Sequence, residues 1–449
     1  MKNGDQSYSY LIIFHVLIGV VGFLFPFTTT FFGIFILILG LYFIIKNKNI
    51  DNQVLIAAAY IVGSEVFLRM TGGTILYEIS KYSVIFFVFL GLCFSGFSKG
   101  AVPYIIFLFL LIPAVIISTS TLNFDSEIRK AIAFNISGPV CLGLASIYTF
   151  NRKITFKAIN NILLSMGLPI VSCTIYLILY TSNIQDVITS TESNFQASGG
   201  YGPNQVATIL GLGMFIFFSR LMLDSKTKFQ MIVNLILAIL ITYRGILTFS
   251  RGGMITGFIM IALLIVILFF KSNFAGRLKL TFIVVLLATS MIAVWTYTSL
   301  QTNGLIIKRY ANEDAAGRVK KSQLTGREII VQNEIETFLK YPLLGIGAGK
   351  SKEDRQNKSG VISASHNEIT RMLAEHGSLG IVGLLILLFM PLILYFEKNA
   401  NLFLLCFLAF WFLTINHAAM RLAAPAFIYS LTLLNIQISP FKFEKKQKL

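Results

Sequence analysis

Charge is scarce in this chain: Asp, Glu, Lys and Arg make up 13% of its 449 residues, about half the share usual in a soluble domain. That scarcity excludes a soluble enzyme and a disordered segment alike. Cysteine is nearly absent too. The four present, Cys93, Cys141, Cys173 and Cys406, lie far apart inside apolar runs, so they read as small buried hydrophobes and form neither a disulfide framework nor a zinc site. A fixed-period repeat, a low-complexity tract, a zinc-protease helix motif and a nucleophile elbow are missing as well. What fills the chain is apolar: 55% of its residues are hydrophobic. The net charge of +17 would suggest nucleic acid in a soluble protein. In an apolar one the Lys and Arg residues mark cytoplasmic loops, and no nucleic-acid partner is expected.

Apolar runs of roughly 17–23 residues recur along the chain, each long enough to cross a hydrocarbon core about 30 Å thick. Fourteen stretches fall at approximately 10–25, 29–45, 54–70, 82–97, 101–118, 131–149, 158–180, 204–223, 228–249, 252–270, 278–300, 378–396, 399–415 and 421–438. No small-residue cleavage site follows the first, so it reads as a span and not as a signal peptide. With the N-terminus cytoplasmic, eighteen Lys and Arg residues collect on the inner side, the tail Lys442, Lys445, Lys446 and Lys448 among them, against seven outside. Short-loop bias of this size sets the orientation. The expected fold class is an all-α polytopic membrane protein of about 12–14 transmembrane helices with one large extracytoplasmic loop containing short helices. Residues 1–180 form N-terminal spans, 181–300 central spans, 301–377 the loop, and 378–449 C-terminal spans with a basic cytoplasmic tail.

A 77-residue external loop in a chain of clipped connections is more than linkage requires, so function is expected there. It holds twelve basic and nine acidic residues. Thr325-Gly326-Arg327-Glu328 matches a capping box before an amphipathic run that Lys340-Tyr341-Pro342 stops. Ser365-His366-Asn367-Glu368 matches a second box. With Ser365 as the N-cap, His366 takes the first helical position, where the helix dipole disfavours a protonated imidazole. A neutral His there can serve as a general base, or it is a surface His at a helix start. Closing the box already accounts for Glu368. His376 lies on another face, so no metal pair is expected. Leu344–Ser351 imitates a phosphate loop but has Leu where the first glycine should be; it reads as a flexible turn with backbone amides open to an anion.

Ser250-Arg251-Gly252-Gly253 joins two spans with almost no loop, and Arg244 lies two helical turns earlier on nearly the same face. Basic groups beside hydrocarbon either snorkel or meet a purposeful ligand. A lipid pyrophosphate suits them, because guanidinium grips phosphate oxygens as a fork. Asn204, at another outer turn, caps its helix or binds a polar ligand.

These motifs occur in a telling order. Gly202-Pro203-Asn204-Gln205, Ser250-Arg251-Gly252-Gly253, Thr325-Gly326-Arg327, Pro342-Leu343-Leu344-Gly345, Ser365-His366-Asn367-Glu368 and Arg371 through Gly377 succeed one another over 200–377. The series resembles the O-antigen ligase and polymerase superfamily of bacterial surface-polysaccharide enzymes. The resemblance implies a GT-C-like, metal-independent inverting glycosyltransferase without a cofactor, placed in the bacterial inner membrane with its active site at the periplasmic face. Its donor would be a glycan on undecaprenyl pyrophosphate, its acceptor lipid A-core for a ligase or another lipid-linked repeat for a polymerase. It further implies that His366, Arg251 and Arg327 are catalytic, with Arg244, Arg371, Asn204 and Glu368 binding substrate. About twelve spans are usual in that superfamily.

A polysaccharide transporter or flippase is the competing class. Transporters carry charge at mid-membrane and inverted repeats. Here Glu65 and Arg69 are the main intramembrane ionisable residues, and no repeat is visible.

Overall fold

The computed structural model describes residues 2–123, 127–320, 327–360, 365–397 and 400–437. The N-terminal helices are α1 (Lys2–Leu24), α2 (Thr28–Lys46), α3 (Gln53–Met70), α4 (Ile79–Ser95), α5 (Val102–Thr121), α6 (Ile128–Thr149) and α7 (Phe156–Tyr180). A single turn α8 (Ile184–Val187) precedes α9 (Pro203–Leu223), α10 (Lys228–Leu247), α11 (Arg251–Lys271) and α12 (Phe274–Gln301). The loop carries α13 (Leu305–Tyr310), α14 (Arg327–Lys340) and α15 (Lys350–Ser359). After it come α16 (Glu368–Phe396), α17 (Leu404–His417) and α18 (Ala423–Leu431).

Among the described residues, eleven helices are long and apolar enough to cross a membrane. The chain is an all-α multi-pass membrane protein. The fourteen apolar stretches are corrected at three places. α4 and α17 are short, with 17 and 14 residues, and α18 has nine. At 1.5 Å per residue α18 covers about 14 Å, well short of a bilayer core. The apolar run continues beyond it because Leu433, Leu434 and Ile436 are buried in protein, not because they face lipid. There the chain leaves the helix and β2 (Asn435–Gln437) pairs in parallel with β1 (Lys153–Thr155). The basic tail from Lys442 onward and the Thr325-Gly326 half of the first capping box lie outside the described residues.

The core sits on α3, α7 and α9, the most enclosed of the long helices. Glycine lets backbones touch there. A Cβ on Gly63 would lie 2.1 Å from the Met166 carbonyl oxygen, and one on Gly211 would lie 2.2 Å from that of Gly253. The close crossing of α9 on α11 therefore accounts for Gly253, and α11 can begin directly at Arg251.

Because α17 and α18 are short, the turn between them meets α3 at Glu65, before α3 ends at Met70. This recessed turn, residues 418–422, organises the site.

Candidate functional site

Three helix ends come together around Asn204. Its side-chain oxygen accepts from Ser250 Oγ at 2.7 Å, which ties the start of α9 to the residue before Arg251. Asn204 is therefore not a cap: it lies inside the first turn of α9, whose N-cap is Gly202. Thr208, one turn on, meets His417 Nε2 at 3.3 Å, while His417 Nδ1 lies 2.8 Å from the Leu413 carbonyl oxygen. A Cβ on Gly252 would stand 2.6 Å from the His417 ring. Gly252 is thus required by the imidazole packed on it. Arg251 donates to the Arg309 carbonyl at 3.4 Å, and Arg309 donates to Phe249 O at 2.9 Å and Ser193 Oγ at 3.1 Å. Two guanidinium groups, from α11 and α13, consequently lie at the same helix end.

The segment before α16 is bound to the recessed turn by main-chain contacts. Ala419 N donates to His366 O at 3.1 Å, and Arg421 Nη2 donates to Ser365 O at 2.7 Å. Below the turn, Arg69 donates to Arg421 O at 3.2 Å and Glu65 accepts from Ala423 N at 2.7 Å. Glu65 and Arg69 themselves pair at 2.7 Å. The intramembrane carboxylate therefore sits at the N-terminus of α18, where the helix dipole favours an anion. Sequence reasoning missed His417, and Arg421 counted there only as one of the seven basic residues outside. The available signal was two basic-type residues interrupting an apolar run.

The second capping box does not form. Asn367 is the N-cap of α16, its Oδ1 accepting from Ile369 N at 2.9 Å and Thr370 N at 3.3 Å. Ser365 Oγ is drawn instead to Glu334 Oε2 at 3.2 Å and to the backbone of Asn367. His366 thus precedes the cap and is half-buried. The dipole argument for its neutrality falls away, since that effect is confined to the first turn.

Glu368 pairs with Arg371, and Arg371 has all its donors occupied. Nε and Nη2 bond Glu368, Nη1 bonds Glu375 at 2.9 Å and Asn135 Oδ1 at 3.2 Å, and Nη2 bonds Asn135 O at 3.0 Å. A guanidinium offers five N–H groups, and these five contacts use them. Arg371 fastens α16 to α6.

Helix α14 docks on the same turn through Glu334, which is 2% exposed. It accepts from Thr370 Oγ1 at 2.6 Å and pairs with Arg355 at 3.1 Å. Burial holds the Glu334 carboxyl above the usual carboxylate range, against the opposing pull of Thr370, Arg355 and Ser365. Arg327 opens α14; its side chain lies outside the described residues.

The phosphate-loop imitation has another purpose. Gly377 breaks α16 with φ 59°, which would strand the carbonyls of Ala374 and Glu375. Ile346 N and Gly347 N bond them at 3.0 and 3.1 Å, and Ala348 N bonds Ala114 O. These amides are not open to an anion. Arg244 is likewise enclosed: it is 1% exposed and donates to Leu177 O at 2.7 Å and Ala197 O at 3.4 Å. It supports the 181–203 loop from beneath and does not share Arg251's surroundings.

Among the described residues no group of His, Cys, Asp and Glu could hold a metal ion. The arrangement brings Arg251, Arg309, which also pairs with Glu192 at 3.7 Å, and the His417 imidazole to one helix end.

Residues 235–388 match the family described as O-Antigen ligase. That supports the O-antigen ligase and polymerase superfamily. The matched stretch holds Arg251, Arg327 and His366 but not Asn204, His417 or Arg421. No curated protein matches the chain.

Proposed function

We propose that this chain, whose 235–388 region is similar to O-antigen ligase, is a membrane glycosyltransferase of the ligase type. It moves a glycan from undecaprenyl pyrophosphate to a hydroxyl of lipid A-core at the periplasmic face of the bacterial inner membrane. The acceptor oxygen bonds the anomeric carbon as the bond to pyrophosphate breaks, with inversion. The hydroxyl proton passes to the His366 imidazole. Arg251 meets the charge on the departing pyrophosphate, with Arg309 beside it and Arg327 proposed to assist, and a fixed cation supplies this electrostatic term with no reorganisation during the reaction. Arg421 and Glu368 position the segment that carries His366, Arg371 holds α16, and Asn204 positions Ser250 ahead of Arg251.

The observation that carries this reading is the pair of bonds from the 418–422 turn to Ser365 O and His366 O. They support it by tying the segment that carries His366 to the turn after His417, whose ring packs on Gly252 next to Arg251 in sequence. The test is transfer by the purified chain in lipid nanodiscs, given extracted lipid-linked glycan and lipid A-core. Glycan on the core supports the reading. Elongation of the lipid-linked glycan alone makes the chain a polymerase, and donor movement across vesicles without transfer makes it a flippase. Activity is expected to survive EDTA.

A further inference from the structure

A cavity of about 530 Å³ lies between the outer part of α6, helix α15 and the first turns of α16. Ligand sites typically enclose about 300–1,000 Å³. None of Asn204, Arg251, Arg309 or His417 lines it. Its charge is nearly balanced, with three carboxylates against four cationic side chains. The deep cations are already matched by acids: Arg371 by Glu368 and Glu375, Arg355 by Glu334. A pyrophosphate would gain little there.

Its other features suit a polyhydroxylated ligand. Ser351 lines the wall and is 5% exposed, and its buried Oγ has no hydrogen-bond partner among the described residues. Glu353, Lys352 and Asn135 add acceptors and donors at the wall. Phe134 supplies an apolar face for sugar C–H groups, its ring held by Tyr77 at 6.1 Å between centroids. A smaller recess shares Phe134, Asn135, Ser365 and Arg371 with the cavity and continues to Met420 and Arg421. The cavity therefore leads to the segment that bears His366.

We propose that this cavity binds the saccharide of the acceptor and presents its hydroxyl toward His366. The proposal rests on the transferase reading. A single inverting displacement requires the nucleophile and the leaving group on opposite sides of the anomeric carbon. The charge-balanced cavity reaches Ser365, next to His366, and is lined by neither Arg251 nor Arg309, so an acceptor held there would leave the arginine-rimmed helix end to the donor.

The test is steady-state transfer by Phe134→Ala and Ser351→Ala, varying acceptor and donor separately. Phe134→Ala raises the KM for lipid A-core at least about fivefold, and Ser351→Ala raises it roughly threefold to tenfold. The KM for the lipid-linked donor and kcat stay near wild type. An unchanged acceptor KM in both variants, at normal melting temperature, overturns the proposal, as does a rise in donor KM instead. Should the wild-type chain transfer nothing, the transferase reading fails, and the site is judged by binding alone. Saturation-transfer NMR with core oligosaccharide freed by mild acid then shows contact in the wild type that is lost in Phe134→Ala. No contact in the wild type overturns the site itself.

Discussion

The Arg421 guanidinium donates to the Ser365 carbonyl at 2.7 Å, joining the α17–α18 turn to the start of α16 across 56 residues. The turn is itself held from below by Arg69 on the Arg421 carbonyl and by Glu65 on Ala423 N. A charged donor lost from such a contact costs about 1.5–3 kcal/mol. Arg421→Ala is therefore expected to lower kcat roughly ten- to hundredfold, with donor KM little changed. Glu65→Gln strands the buried Arg69 charge, and breaking a buried pair costs about 3–5 kcal/mol, so this variant should lose melting temperature first. Paired kinetic and melting measurements on the two variants check both expectations.

His366→Ala should slow transfer by about 10²- to 10⁴-fold, the range a positioned base contributes, while lipid-linked donor still binds. His366→Gln retains hydrogen bonding without accepting a proton. Its pH–rate profile should lose the limb on which the rate rises with pH. A Gln variant with normal turnover and an unchanged profile would leave His366 an orienting role only.

The two arginines seven residues apart should separate cleanly. Arg251→Lys keeps the charge but loses the fork, and is expected to weaken donor capture by about 1.5–3 kcal/mol at unchanged melting temperature. Arg244→Lys removes donors to Leu177 and Ala197 from a buried place, so it should destabilise the chain and expose the 181–203 loop to protease. Donor titration and limited proteolysis distinguish these outcomes.

Glu334 gives a pH dependence of definite sign. Its folded carboxyl is raised above the ordinary value of 4.5 by burial, so the folded state holds a proton the unfolded state has already released. The stabilising contribution is full below the ordinary value and disappears as pH rises through the raised one. The melting temperature of wild type minus that of Glu334→Gln should therefore fall as pH rises from about 4.5. A difference that is flat or grows with pH contradicts the docking described for α14.

The orientation is checked at Asn357, which is exposed on α15. In a chain with the exposed Cys93 replaced by Ser, Asn357→Cys should react with an impermeant maleimide in intact spheroplasts. Reaction only after lysis would reverse the topology.

The spans were legible because each records a local requirement: an apolar run about as long as the bilayer is thick must be helical to satisfy its own backbone. The starts of α14 and α16 were legible to within a few residues for a similar reason, since glycine and capping residues punctuate the chain wherever it turns. Local rules misread Ser365, because a capping box is decided by competition and Glu334, 31 residues away, attracts the hydroxyl more strongly than the helix end does. They misread 421–438 too, where burial in protein keeps a run apolar without making it a span. Arg371 and Arg244 have the same residue type as Arg251, yet only tertiary packing decides which guanidinium is enclosed by carboxylates and carbonyls and which stays half-buried at a helix start. Residue type and spacing therefore determined the membrane class and the candidate chemistry. The partners of each charge, which depend on contacts distant in sequence, were decided by the fold alone.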